Sequence, residues 1–248
     1  KDKYKVKRDV YVIPSGIDTT RFYKENIDKN EIINLKKDLG LKKTDFIVLY
    51  VGRIAKEKSI DFLINNFNSV LKQIPKAKMI IVGDGPDIKD LIDLAKKEGL
   101  ENKIIFAGKA PWTDVPKYYS LCDVFVTASK TETQGLTVME AMGASKPVVA
   151  IRDESFELMI TDKKDGLFFD DEKSYVDMIY EVYKNKKLRD EISFNARLTA
   201  DKYSPYNYAK NVLKVYEKVI SKDTNVVKKV VHNVKNIFTK SGGKKWKN

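Results

Sequence analysis

Apolar positions in this chain fall into short β-branched and aromatic runs, separated by longer stretches in which they recur every three or four residues. The runs at 45–51, 78–82, 103–107, 123–127, 147–151 and 167–169 are nearly continuous, not alternating, as expected of strands buried on both faces of a parallel sheet. A further strand-like run, Val10-Tyr11-Val12-Ile13, ends at the turn Pro14-Ser15-Gly16. Helical spacing predicts helices over 30–39, 59–74, 86–99, 115–121, 136–144, 173–184, 188–202 and 206–220. Strand alternating with helix predicts an α/β fold, a doubly wound parallel sheet of Rossmann-like type. The chain has no internal repeat.

In such sheets ligands bind where loops leave the carboxyl ends of the strands. The stretch Ser129-Lys130-Thr131-Glu132-Thr133-Gln134-Gly135-Leu136-Thr137 joins the 123–127 strand to the following helix. Gly135 lets the backbone come close to a ligand, and the amides of Leu136 and Thr137 present the positive end of a helix dipole, which suits a phosphate. Glu132 and Glu140 bracket the turn, eight positions apart, and can face one cleft. A single Glu there would be an ordinary solvated residue; the pair around a Gln-Gly turn weighs against that. Gly52-Arg53 and Lys58 flank the loop after the 45–51 strand, where a guanidinium fork and a point charge can hold a diphosphate. Gly83-Asp84-Gly85-Pro86 lacks the third glycine of a dinucleotide fingerprint and reads as a turn.

Glu132 and Glu140 match the Glu-x7-Glu motif of the retaining GT-B glycosyltransferases of family 4, and Ala141-Met142 through Lys146-Pro147-Val148-Val149-Ala150 continues the resemblance. Within that family, Thr131-Glu132-Thr133-Gln134-Gly135-Leu136-Thr137 resembles the version in bacterial diacylglycerol glucosyltransferases. The resemblance spans about residues 10–220 and implies the second half of a GT-B fold, the donor-binding domain. The segment from Ile13 to Phe22 resembles the hinge opening that half, so the chain is expected to be a carboxy-terminal part that lacks the amino-terminal Rossmann-like domain. Residues 1–14 would be a linker remnant, 15–220 the donor domain and 221–248 a tail.

The resemblance further implies that Arg53 and Lys58 bind the donor diphosphate, that Glu132 accepts from the hexose hydroxyls and that Glu140 accepts from the ribose hydroxyls. It places Gly52, Gln134, Gly135, Leu136 and Thr137 around the donor, and Lys109 and Ala110 beside the nucleobase. It implies a retaining, metal-independent hexosyltransferase that uses a nucleotide-sugar, UDP-glucose, and no cofactor. Trp112 stays open between core, interface and stacking roles. The acceptor is expected to be a lipid such as diacylglycerol. The alternatives are a polysaccharide or cell-wall acceptor, and a non-catalytic nucleotide-sugar-binding or membrane-tethering module.

Composition narrows the partners. The formal net charge is +12, but residues 221–248 carry eight Lys against one Asp, and residues 1–9 five basic groups against two acidic, leaving the body close to neutral. That argues against a broad nucleic-acid surface. In the tail, Val226, Val227, Val230, Val231, Val234, Ile237 and Phe238 share an arc of about 140° at helical pitch, with Lys228, Lys229, Lys235 and Lys240 opposite. Residues 222–248 therefore suit an anionic membrane surface, or alternatively packing on protein. No apolar run reaches 18 residues, so no spanning helix is expected. The single Cys122 reads as a core residue and fits a reducing, cytoplasmic setting with peripheral attachment to the membrane's inner face. His232 is the one histidine, and no Cys/His/Asp cluster has metal-ligand spacing.

Overall fold

A computed structural model describes residues 9–132 and 134–220. Six parallel strands form one sheet: β1 (Phe46–Val51), β2 (Ala77–Val82), β3 (Ile104–Gly108), β4 (Val124–Thr127), β5 (Val148–Ile151) and β6 (Leu167–Phe169), in the order β3-β2-β1-β4-β5-β6. The order reverses between β1 and β4. With right-handed crossovers, that reversal sends helices to both faces and opens a crevice at the carboxyl ends of the two strands. All six positions of β1 and all four of β4 are buried, which explains why these runs are apolar throughout. Asp123 fixes their register, accepting from the Ile47 amide through its carboxylate (2.7 Å) while its own amide donates to the Ile47 carbonyl (2.9 Å).

The helices are α1 (Lys29–Asp38), α2 (Ile60–Asn65), α3 (Phe67–Gln73), α4 (Ile88–Lys97), α5 (Val115–Leu121), α6 (Leu136–Gly143), α7 (Glu154–Glu157), α8 (Glu172–Lys184), α9 (Lys186–Ala200) and α10 (Pro205–Ile220). Two departures from the sequence reading have physical causes. The helix expected over 59–74 is divided at Asn66, whose side-chain amide donates to the Phe62 carbonyl at 2.9 Å and so competes with the ladder. The run Val10–Ile13 is no strand: Val10 and Val12 are exposed, and β-propensity needs a neighbouring strand on which to act. The described residues fall into two compact units, one of 17–204 and one that joins 9–16 with 205–220. The predicted tail lies outside the described residues, as does His232.

The loops that leave β1, β2 and β3 continue pairing beyond the strands. Gly52 donates to the Val82 carbonyl (3.0 Å), Ile54 to Asp84 (2.9 Å) and Gly83 to Gly108 (2.8 Å). This close approach needs glycine: a Cβ on Gly83 would lie 1.8 Å from the Gly52 carbonyl oxygen, and one on Gly85 1.9 Å from that of Ile54. The Gly-Asp-Gly turn thus serves backbone packing. Cys122 is buried, and desolvation pushes its thiol up to about 12, as a core residue requires.

Candidate active site

Two adjoining cavities occupy the crevice at the strand-order reversal. One, of about 410 Å³, is lined by Gly52, Arg53, Lys58, Glu132, Gln134, Gly135, Leu136 and Thr137, together with Tyr50, Val51, Glu57, Thr127 and Thr131. The other, of about 450 Å³, is lined by Lys109, Ala110 and Val115 and by the turn Gly83-Asp84-Gly85, and it shares Val51, Gly52 and Arg53 with the first. Ten of the eleven residues singled out in the sequence therefore wall one continuous crevice. Glu140 is the exception.

Each wall has a local cause. Lys58 closes a single 3-10 turn, after which Ser59 adopts a left-handed conformation and α2 begins. This brings the Lys58 ammonium to 2.6 Å from the Glu132 carboxylate, with the two side chains 18% and 20% exposed. Thr131 donates to the Glu57 carbonyl at 3.3 Å and ties the same two loops a second time. Beneath them the Tyr50 hydroxyl donates to the Arg53 carbonyl (3.0 Å), and burial with the charges of Glu132 and Glu57 raises its pKa. Arg53 projects outward, 67% exposed, 3.7 Å from Glu57. Lys58 is thus held by a carboxylate where the sequence suggested a free diphosphate ligand, while Arg53 stays largely solvated.

Across the crevice, Gly135 is the N-cap of α6 with φ +52, and among the described residues no side chain caps the first amides of the helix. The amides of Leu136 and Thr137 point with the helix dipole and meet the requirements of an anion site. Two cations from the loop after β1 and the helix N-terminus that follows β4 thereby line one cavity. This arrangement can bind a diphosphate and stabilise charge that grows on it as a leaving group.

Glu140 lies one turn deeper and forms no part of either cavity wall. Its carboxylate accepts from the hydroxyl of fully buried Tyr119 (2.9 Å), which also lies 3.1 Å from the Thr137 carbonyl. Desolvation raises the Glu140 pKa, while Tyr119 and Arg21 counteract it. Trp112 is exposed, not core, and the Arg21 guanidinium stacks 4.0 Å over its ring. Tyr50, Glu57 and Tyr119 are site residues that sequence reasoning missed. Tyr50 looked like another core position of β1, and nothing in the spacing links Tyr119 to Glu140. Among the described residues, no group of three His, Cys, Asp or Glu side chains could hold a metal ion.

Residues 31–199 match the family described as glycosyl transferases group 1, and the chain belongs to that family of transferases. It is 36% identical over 221 residues to alpha-monoglucosyldiacylglycerol synthase of Acholeplasma laidlawii, covering 88% of this chain and 55% of the relative. It is 30% identical over 240 residues to the Streptococcus pneumoniae protein of the same name, covering 93% and 54%. The fold matches that of Anabaena HepE in complex with UDP and glucose, with a TM-score of 0.75 at 21% identity over 84% of this chain and 57% of that one. The chain spans about half the length of the curated relatives it matches.

Proposed function

We propose that the chain is the donor-binding domain of a retaining hexosyltransferase that transfers glucose from UDP-glucose to diacylglycerol at the cytoplasmic membrane face. The observation that carries this reading is the convergence of Arg53, Lys58 and the α6 N-terminus on one cavity at the sheet's reversal point, in a chain similar to two alpha-monoglucosyldiacylglycerol synthases. The uridine would occupy the cavity bounded by Lys109 and Ala110, and the diphosphate would lie against Arg53, Lys58 and the Leu136 and Thr137 amides. Glu132 would receive the hexose hydroxyls and Glu140 the ribose.

In the reaction, the bond between the anomeric carbon and the phosphate oxygen breaks and a bond from that carbon to the acceptor oxygen forms. The acceptor's hydroxyl proton passes to a donor phosphate oxygen, and UDP departs. Neither Glu132 nor Glu140 acts as a nucleophile in this scheme; both hold hydroxyls. Attachment to the membrane would run through residues 222–248; among the described residues no helix is long and apolar enough to cross a membrane.

Calorimetry of the chain against UDP, GDP and ADP, each alone and as its glucose conjugate, tests the donor. Preferential binding of UDP and UDP-glucose is expected; equal affinity for all three nucleotides would sink the donor assignment. Sedimentation with anionic vesicles, with and without residues 222–248, tests the membrane reading. Loss of sedimentation on truncation is expected, whereas absence of binding by both forms points to a soluble or polysaccharide acceptor.

A further inference from the structure

The phosphate turn has a rear support that none of the residues discussed so far supplies. Gly135 is backed by α7: a Cβ placed on Gly135 would meet the Met159 methyl at 2.3 Å, its sulfur at 3.2 Å and the Phe156 ring at 3.4 Å. Phe156 is fully buried, and its carbonyl accepts from the Met159 and Ile160 amides (2.9 and 2.8 Å), so the two side chains share one short, folded segment. Asp153 caps that segment through the Ser155 amide at 3.0 Å.

Four residues of α7 alone cannot hold a fixed position, since one turn is below the length at which a helix is stable. Arg152 provides the anchor. Its Nε lies 3.1 Å from Asp170, its Nη2 2.9 Å from Asp162 and its Nη1 3.4 Å from Glu157, and the guanidinium stands 4.8 Å over the Phe168 ring. These partners come from the end of β6, the loop between α7 and β6, and α7 itself. The Arg152 amide donates to the Phe169 carbonyl at 2.8 Å, so the anchor is itself built into the β5–β6 pairing. A planar five-donor group is the side chain suited to hold three carboxylates at once.

We infer that Arg152 and Met159 are positioning residues for the diphosphate: Arg152 clamps the 153–160 segment to the sheet, and Met159 with Phe156 fixes the Gly135 turn from behind. The inference rests on the donor reading above. It predicts an effect confined to the phosphate distal to the ribose, because the uridine end is walled by other loops.

The test is equilibrium binding of UDP and of UMP to the 248-residue chain and to Met159→Ala, Met159→Leu, Arg152→Met and Arg152→Lys. Met159→Ala and Arg152→Met are expected to weaken UDP by on the order of fivefold, the scale of a few lost half-exposed contacts, with UMP changed less than about twofold. Met159→Leu, which keeps the volume, retains UDP affinity, and Arg152→Lys falls between wild type and Arg152→Met. A merely structural loss lowers both nucleotides together, so equal weakening of UDP and UMP overturns the inference, as does unchanged UDP affinity. Thermal melting identifies a variant that fails to fold, and Met159→Leu against Met159→Ala then decides. A wild-type chain that binds neither nucleotide overturns the donor reading itself; one that binds UDP while the variants keep its UDP-to-UMP ratio overturns the inference alone.

Discussion

Lys58 cannot serve Glu132 and a diphosphate equally, and this competition gives the residues opposite effects on one measurement. The pair is close and four-fifths buried, so a bound diphosphate must draw the ammonium away from a carboxylate that also repels it. Glu132→Gln is therefore expected to tighten UDP binding by roughly threefold to tenfold, while Lys58→Met weakens it about tenfold, the scale of one charge-assisted hydrogen bond. Titration of UDP checks both, and weaker UDP binding by Glu132→Gln would contradict the competition. In a full-length relative such as the Acholeplasma laidlawii protein, the matching Glu→Gln change should lower turnover sharply. Glu140 has a different signature. Burial raises its pKa, so the folded chain holds that proton more tightly than the unfolded one, and between the two pKa values stability falls as pH rises. At neutral pH the ionised carboxylate is a cost. Glu140→Gln should thus raise the melting temperature at pH 7, by about 2–4 °C per kcal/mol recovered, with the gap closing toward pH ~4, and should weaken UDP in the same protein. An unchanged melting temperature across this range would contradict the argument.

Among the elements, α6 carries the sharpest expectation. Its N-cap needs a left-handed backbone, and Ala in that conformation costs about 1–2 kcal/mol. The added methyl would also meet the Met159 methyl at 2.3 Å, so backbone strain adds to the disturbance of that support. Gly135→Ala should lower UDP affinity through a displaced turn, by on the order of tenfold, while Gly135→Asn, which tolerates that conformation better, loses less. Comparing the two Kd values checks this; equal losses would shift the cause to side-chain volume. The turn was legible in sequence because glycine, strand and helix stand in register there. The strands of the sheet were legible because burial on both faces leaves continuous apolar runs. What escaped were contacts between elements distant in sequence: Tyr119 beneath Glu140, Lys58 against Glu132, and α7 behind Gly135. Periodicity reports which face of an element is buried, not which residue it meets. The division at Asn66 was hidden for a related reason, since a side chain that bonds to Phe62 leaves the apolar spacing of 59–74 intact.

At the scale of the molecule, the proposed function makes the crevice one wall of a two-substrate site. On the donor reading, its cations and helix amides approach the diphosphate from the carboxyl ends of a single sheet. Relative positioning of two reactants contributes on the order of 7–11 kcal/mol to such reactions, far more than the donor contacts can replace. The matched relatives are nearly twice as long as the stretch this chain covers, so they carry further protein that could form that second wall. The 248-residue chain should therefore bind UDP-glucose but form no glucolipid above background with diacylglycerol vesicles. Joining it to the part of the Acholeplasma laidlawii relative that lies outside the match should give transfer, detected as radiolabelled glucose in the lipid phase. Transfer by the chain alone at the rate of the joined protein would show that these residues already position both substrates.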